Sequence, residues 1–238
     1  MKIGFGIDMS TMEFNDLNSA FFLEEPPKMK IIPKWSLDKV LTLLESPSYD
    51  GNSCSLYNLL KKTLFLTALA SGNRVSELAA VDTAGFRIDT SRGNIPEEVN
   101  MVVSPGFLFK NQRQGRTPPN ICIKRLPAGS ERICPVTSIE TRIRRMNILE
   151  GSLFINSVSR CKLKPPTISK VLCTVINEAD PGKFPKGHDV RRVATSLAWT
   201  RGLRMEEITR RAFWSSSSVF INCYLSHTGG RGNALNTW

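Results

Sequence analysis

The last quarter of the chain contains residues whose types and spacing could handle a phosphate ester. His188 and Arg191 are three residues apart at the start of an apolar-periodic run, so we expect them on one helix face. Tyr224 follows in a second short helical run, ten residues after Trp214. Arginine binds phosphate oxygens as a bidentate fork, histidine transfers protons, and tyrosine can attack as a covalent nucleophile. These residue types indicate phosphoryl transfer, with the rest of the chain positioning them.

Each of these residues also has a simpler interpretation. In the simpler interpretation His188 does no more than cap a helix, which is what a lone histidine at such a position usually does. Trp214 and Tyr224 could be core aromatics, although Tyr224 is one of only three tyrosines. The pairing of His188 with Arg191 favours the chemical interpretation.

The charge of the chain predicts a polyanionic partner. The net charge is +11 over 238 residues. Residues 1–34 contain four lysines and five acidic residues, a net charge of −1, so residues 35–238 carry +12. A basic region of this size favours double-stranded DNA first and a membrane surface second. The longest apolar run, Leu64–Ala70 with Thr67 inside it, is too short to cross a bilayer. The sequence also shows no amphipathic basic helix with an aromatic face, so no membrane association is expected.

Cysteine and histidine usage argues against a metal site. The six cysteines form no CxxC pair, and the chain has only two histidines, so a Cys/His zinc site is not expected. We expect no metal and no small-molecule cofactor. The N-terminus carries Asp8 and Glu13 and lacks a secretory signal, which predicts an intracellular protein with reduced thiols.

Helical periods dominate from Trp35 onward. Ser36 is a suitable N-cap for a helix over Leu37–Leu44. The run Leu56–Ala70 is apolar nearly all round, which predicts a central core helix, and Gly72 is suited to its C-terminal cap. Further helices are expected after Pro135, after Pro165, from His188, over Met205–Phe213 and around Tyr224.

Strand signals lie mainly in the middle of the chain. They occupy residues 86–89, 99–103, 107–109 and 121–123, with a further short signal at 153–155. Lys110–Pro119 is expected as the basic tip of a hairpin that could contact phosphate. The predicted fold class is α+β, mainly helical, with one small antiparallel sheet near residues 86–125. The arginines of the helix after Pro135 are expected on its solvated face: Arg142, Arg144 and Arg145.

Taken in order, these residues resemble the catalytic domain of tyrosine recombinases, the phage-integrase family. That family has an Arg, a hairpin Lys, a His-x-x-Arg box, a His or Trp, and then a Tyr. The segment Ala70–Leu78 resembles its first box, and Pro105–Asn111 its lysine hairpin. The resemblance implies a catalytic set of Arg74, Lys110, His188, Arg191, Trp214 and Tyr224, supported by Glu77.

Shorter phrases resemble one branch of that family, the recombinases of DIRS-type retrotransposons. The resemblance covers about residues 33–225. The phrases that carry it are residues 32–37, 104–107, 134–136, 188–191, 194–198 and 214–216. It implies a mobile-element enzyme, nuclear if the element is eukaryotic, that acts as a homo-oligomer on DNA. The implied domains are a linker or domain remnant at 1–34, the catalytic domain at 35–226 and a flexible tail at 227–238.

The mechanism that the resemblance implies is transesterification without a metal. Tyr224 attacks the scissile phosphorus and forms a 3′-phosphotyrosine, with His188 as the base. Two arginines bind the phosphate, and Lys110 protonates the leaving oxygen. Trp214 supports the phosphate through its indole N–H. Further DNA contacts are expected from Arg113, Arg116 and Arg192.

Three alternatives stay open on the sequence. Lys61 or Lys124 could replace Lys110 as the acid. The enzyme could resemble a type IB topoisomerase, which shares the phosphotyrosine chemistry. The chain could also be a domesticated or decayed DNA-binding module that no longer cleaves DNA.

Overall fold

The computed structural model describes residues 2–3, 7–8, 35–85, 98–112 and 121–215. The chain divides into two compact units, Met1–Ile31 and Ile32–Trp238. In the first unit, strands β1 (Lys2–Ile3) and β2 (Ile7–Asp8) pair antiparallel. The helices and the larger sheet described below lie in the second unit. The division into residues 1–34, 35–226 and 227–238 stays a prediction.

The described part of the second unit is mainly helical. None of its helices is long and apolar enough to span a bilayer. The helix predicted around Tyr224 lies outside the described residues. The seven described α-helices are α1 (Leu37–Glu45), α2 (Leu56–Ser71), α3 (Val75–Ala79), α4 (Pro135–Met146), α5 (Pro165–Ala179), α6 (Asp189–Thr200) and α7 (Met205–Arg211).

Helix α2 is the central helix, as its apolar sequence predicts. Every residue from 59 to 71 is buried, and the helix packs against α4, α5 and α6. It begins at the Ser55 cap, whose Oγ accepts from the Asn58 N–H at 3.1 Å. It ends at Gly72, whose φ of +61° is the left-handed conformation that glycine adopts at low cost. The chain turns there into α3, which places the end of α2 beside the start of α3.

Two buried lysines fix the first half of α2 to its neighbours. Lys62 Nζ donates to the carbonyl oxygens of Leu44 (2.9 Å) and Tyr49 (2.8 Å), and burial lowers the pKa of Lys62. Lys61 Nζ lies 2.8 Å from both carboxylate oxygens of Glu178 on α5. The Tyr49 hydroxyl donates to the same carboxylate. These contacts hold the α1–α2 connection and α5 against the central helix.

The sheet has three antiparallel strands in the order β3-β4-β5. They are β3 (Val81–Asp82), β4 (Glu98–Val103) and β5 (Ile121–Lys124). Val81 pairs with Val103, and Val99 pairs with Ile123. The predicted fold class, mainly helical with one small antiparallel sheet in this part of the chain, is confirmed.

Several local predictions need correction. Phe107–Phe109 is not a strand, because the turn at Pro105–Gly106 takes the chain out of the ladder, and proline has no N–H to donate to it. Residues 153–155 form no strand: Ile155 makes an isolated bridge with Lys162, and the Leu153 N–H bonds to Val81 O at 3.0 Å. Residues 86–89 lie outside the described residues. Strand β3 was not predicted, because two residues carry no periodic signal.

The prediction that Arg142 faces solvent is wrong. Its side chain is fully buried, with Nε 3.3 Å from Leu153 O and Nη2 2.8 Å from Ile155 O. Burial, and then the nearby charge of Arg160, lowers the pKa of Arg142 to about 10. Arg142 therefore holds the segment after α4 onto that helix.

Candidate functional site

The carboxylate of Glu77 joins the two arginines that the resemblance implies. Arg74 Nη1 lies 2.6 Å from Glu77 Oε1, and the Arg74 backbone N–H donates to Oε2 at 2.8 Å. Arg191 Nη1 lies 3.6 Å from the same Oε2. The side chains of Glu77 and Arg191 are 4% and 2% exposed, and that of Arg74 is 19% exposed. The structure therefore brings Arg74 and Arg191 to one buried carboxylate.

The local sequence explains how Arg74 reaches this position. Gly72 ends α2, and α3 begins at Val75, so Arg74 occupies the N-cap of α3. Glu77 is the third residue of α3, where a carboxylate can reach back to the N-cap N–H. The same side chain therefore caps α3 and pairs with the arginine that precedes it.

Arg191 is held by the ends of two helices as well as by Glu77. Its Nη1 donates to Gly72 O at 2.7 Å, and its Nη2 donates to Ala212 O at 2.5 Å. Gly72 follows α2 and Ala212 follows α7. Because α6 packs along α2, its first turn lies beside these helix ends. The guanidinium of Arg191 is oriented before any ligand arrives.

Trp214 faces Arg191 and also belongs to the core. The Cζ atom of Arg191 lies 5.1 Å from the centroid of the Trp214 ring. The ring is 2% exposed and packs with Ala198, Ile208 and Ala212. Trp214 is therefore a core residue that also lies beside one of the two arginines of the candidate site.

The left-handed backbone conformation of Phe213 directs Trp214 to this position. Phe213 has φ +51°, and its N–H bonds to Arg210 O (3.1 Å), while the Trp214 N–H bonds to Thr209 O (3.0 Å). These two bonds form the motif that closes many helices, in which glycine is the usual left-handed residue. Here a phenylalanine takes that conformation, which costs energy for a residue with a side chain.

His188 occupies the N-cap of α6, the residue before the helix begins. Its side chain is 55% exposed, and its Nε2 lies 3.9 Å from Asp189 Oδ1. Arg191 lies in the first turn and is buried, so the two side chains differ in exposure rather than sharing one face. The preceding residue, Gly187, packs closely against α5, because a Cβ there would meet Ser169 Cα at 2.8 Å.

Lys110 lies on an exposed loop that is attached to the segment before Trp214. Asn111 Nδ2 donates to Phe213 O at 2.7 Å. The rings of Phe109 and Phe213 meet edge to face, with centroids 5.9 Å apart. The neighbours of Lys110 on both sides therefore contact Phe213.

The two alternative lysines lie elsewhere. Lys61 is buried against Glu178 and lies eleven residues before Gly72, a distance of about 16 Å along the helix. Lys124 is exposed. It lies opposite Glu98 in the strand register, at the end of the β4–β5 ladder farthest from the loop of Lys110. This placement favours Lys110 over Lys61 and Lys124 as the lysine of the site.

The predicted DNA contacts are placed only in part. Arg192 is 6% exposed, so it lies inside the first turn of α6 rather than on an open surface. Its role as a DNA contact stays a prediction. Arg113, Arg116 and the proposed nucleophile Tyr224 lie outside the described residues.

Sequence reasoning missed the groups that orient the site. These are the carbonyl oxygens of Gly72 and Ala212, the Asn111 amide and the left-handed Phe213. A contact between a side chain and a distant carbonyl leaves no spacing pattern in the sequence. The only feature of Asn111 in the sequence that could have indicated its contact with Phe213 is its position next to the predicted lysine.

The helical body and the three-stranded antiparallel sheet define the fold of tyrosine recombinase catalytic domains. Three solved structures with this fold are similar to the chain. The XerA recombinase matches with a TM-score of 0.55 and 16% identity, over 88% of this chain and 63% of that one. The XerH site-specific recombinase, in a pre-cleavage complex with its difH substrate, has a TM-score of 0.55 and 12% identity, over 78% and 47% of the two chains. A λ integrase dimer (residues 75–356) bound to a COC′ core site matches with a TM-score of 0.51 and 13% identity, over 91% of this chain and 71% of that one.

These similarities concern the fold. The chain spans less than two thirds of the XerA and XerH chains that it matches. No protein-family model and no curated protein sequence matches it significantly. The fold prediction of a tyrosine recombinase catalytic core is confirmed, and the resemblance to the DIRS-type branch stays a prediction.

Proposed function

We propose that this protein cleaves and rejoins DNA strands as a tyrosine recombinase of a mobile element, similar to those of DIRS-type retrotransposons. The observation that carries the proposal is the attachment of Arg74 and Arg191 to one and the same buried carboxylate, that of Glu77, within this fold. Two guanidinium groups fixed side by side suit the two non-bridging oxygens of one phosphodiester.

The arginines would stabilise the charge that develops on the phosphate. Arg191 is already oriented by the carbonyl oxygens of Gly72 and Ala212, so little reorganisation is needed when the substrate binds. Arg74 is partly exposed and can turn one face of its guanidinium to the DNA. Trp214 would complete the phosphate site through its indole N–H, which can only donate.

The covalent step would use Tyr224 as the nucleophile. A bond forms between its phenolic oxygen and phosphorus as the bond from phosphorus to the 5′ oxygen breaks. An ordinary tyrosine has a pKa of about 10, so it needs a base, and the exposed His188 at the start of α6 is the candidate. Lys110 would give its proton to the leaving 5′ oxygen. Attack by a 5′ hydroxyl on the phosphotyrosine reverses these events and joins a strand.

The proposed partner is double-stranded DNA, bound by a homo-oligomer of this chain. The net charge of +11 supports a polyanionic partner. XerH and λ integrase are DNA complexes in the solved structures, and the latter is a dimer. We place the protein inside the cell, and in the nucleus if the element is eukaryotic.

A nicked duplex from the ends of the element tests the proposal. Cleavage next to the nick releases a short fragment, which traps the protein on the DNA as a covalent adduct that survives a denaturing gel. The wild-type protein is expected to form this adduct, and Tyr224→Phe is expected to form none. Tyr57→Phe, which alters an exposed tyrosine of α2, is the matched control and should act as the wild type does.

The same preparation separates the alternatives. Exchange of strands between two duplexes would support a recombinase, whereas relaxation of supercoils without exchange would indicate a topoisomerase. DNA binding without any adduct would indicate a module that no longer cleaves. An adduct formed by Tyr224→Phe would overturn the proposed nucleophile.

A further inference from the structure

Two residues on either side of Lys110 attach its loop to the segment that carries Trp214. We infer that Phe109 and Asn111 are positioning residues, which hold the Lys110 ammonium where the leaving oxygen needs a proton. This inference rests on the proposed function, because it assigns to these residues a part in the protonation step.

The contacts with Phe213 are of two different kinds. Asn111 Nδ2 donates to the Phe213 carbonyl oxygen at 2.7 Å. The Phe109 ring meets the Phe213 ring at 5.9 Å and 78°, and Phe107 packs against Phe109 at 5.2 Å and 80°. Both arrangements are the edge-to-face geometry that aromatic pairs prefer. The aromatic contact of Phe109 therefore fixes the loop immediately before Lys110, and the hydrogen bond of Asn111 fixes it immediately after.

The segment that receives these contacts is itself part of the site. Ala212 O accepts from Arg191, Phe213 receives the loop, and the Trp214 ring faces Arg191. Three consecutive residues therefore connect an arginine of the phosphate site to the loop of the proposed acid. The left-handed backbone at Phe213 turns its carbonyl and its ring toward that loop while Trp214 turns toward Arg191.

A lysine needs this kind of support. Its ammonium is a point charge on a flexible four-carbon stem, and Lys110 is exposed, so its own packing does not fix it. Small displacements of a group that transfers a proton reduce the rate strongly. Fixing the backbone on both sides of Lys110 limits the region that its ammonium explores.

A leaving group that needs no proton provides the test. Adduct formation is measured in a single turnover on an ordinary nicked duplex and on one with sulfur in place of the 5′ bridging oxygen. Sulfur leaves as a stable thiolate, so loss of the acid matters only for the oxygen substrate. Asn111→Ala and Phe109→Ala are expected to be at least tenfold slower than wild type on oxygen and near wild type on sulfur, as is Lys110→Ala.

Two further variants sharpen the result. Asn111→Asp has the same size but replaces the donating amide nitrogen with an oxygen, so it should lose the Phe213 contact and behave like Asn111→Ala. Leu108→Ala alters an exposed side chain of the same loop and should match wild type on both substrates. DNA affinity should be unchanged in the variants that keep the charge of the loop, Asn111→Ala, Phe109→Ala and Leu108→Ala.

The outcomes separate this inference from the proposed function. If Asn111→Ala and Phe109→Ala are slowed equally on both substrates, their role is structural and the inference is wrong. Wild-type rates on the oxygen substrate would also overturn it. If Lys110→Ala is rescued by sulfur while the positioning variants are not, only this inference fails. A wild-type protein that forms no adduct on either substrate would remove the proposed function and the inference together.

Discussion

The guanidinium carbon of Arg191 lies 5.1 Å from the centroid of the Trp214 ring, and both side chains are buried. A guanidinium over an indole face is attracted by the negative charge of the ring's π system. The ring also covers one side of the guanidinium, which limits the directions in which Arg191 can turn. Trp214 is thus a core residue whose packing orients a charged group of the candidate site.

Trp214→Phe separates the ring from its N–H. Phenylalanine keeps an aromatic face for Arg191 but cannot donate, so we expect stability to fall by only about 1–2 kcal/mol. Adduct formation should fall by roughly 10²-fold, the usual cost of removing one donor to developing charge. Trp214→Ala should lose about 3–5 kcal/mol, because it also leaves a cavity. Denaturant unfolding and single-turnover cleavage measure the two effects. Full activity of Trp214→Phe would show that the N–H is not used.

Removing the charge of Glu77 should make the site depend on an added anion. Glu77→Gln leaves Arg74 and Arg191 close together without the carboxylate between them, and breaking a buried pair typically costs about 3–5 kcal/mol. Sulfate bound near the arginines would replace the missing negative charge, so the melting temperature of Glu77→Gln should rise more steeply with sulfate than that of wild type. Glu140→Gln, which breaks the more exposed pair with Arg125, is the control. Equal sulfate responses of all three proteins would contradict this account.

Gly187 should tolerate no side chain. A Cβ at this position would meet Ser169 Cα and Cβ at 2.8 Å, closer than real contacts allow. Gly187→Ala should therefore destabilise the protein by about 1–3 kcal/mol and displace His188. Adding Ser169→Ala should restore little, because the Cα and Cβ contacts remain. Thermal unfolding of the single and double variants checks this, and full restoration by Ser169→Ala would show that the hydroxyl alone was the obstacle.

The Tyr49 hydroxyl should stabilise the fold only below alkaline pH. Burial, and then its bond to the Glu178 carboxylate, raises the pKa of Tyr49 above its ordinary value near 10. The unfolded chain ionises first as the pH passes about 10, so the stabilisation is complete below that pH and is lost above it. Tyr49→Phe should lose about 1.5–3 kcal/mol at pH 7, the range for a bond to a charged group. This difference should shrink between pH 9 and 11, as followed by denaturant unfolding. A constant difference across that range would argue against the burial of this hydroxyl.

The parts of the fold that local sequence determines were predictable. Ser36 caps α1, Gly72 ends α2, and the Leu56–Ala70 run forms the central helix, because each depends on neighbouring residues alone. Arg74 and Glu77 were found only through the resemblance of Ala70–Leu78 to the first box of the family. The structure shows how they meet, since an acid three residues after an N-cap reaches back to it.

What escaped prediction depends on distant segments. Arg142 belongs to a run of arginines that looks solvated, and only the carbonyl oxygens of Leu153 and Ile155 make its burial possible. The left-handed Phe213 had no signal, because that conformation favours glycine. Neither the burial of Arg142 nor the backbone conformation of Phe213 follows from a hydrophobic period of 2 or 3.6 residues.

The attachment of Arg191 to Gly72 and Ala212 has a consequence for which phosphates the proposed site should accept. Both carbonyl oxygens lie at helix C-termini, each of which carries roughly half a negative charge from the aligned peptide dipoles. With Glu77 nearby, much of the charge of the two arginines is already compensated. The remaining field suits a phosphodiester with one negative charge better than a terminal phosphate with two. We therefore expect internal diesters to compete for the site more strongly than 3′-phosphorylated ends of equal length. The helix ends would then make the site distinguish an intact strand from a broken one by charge state alone.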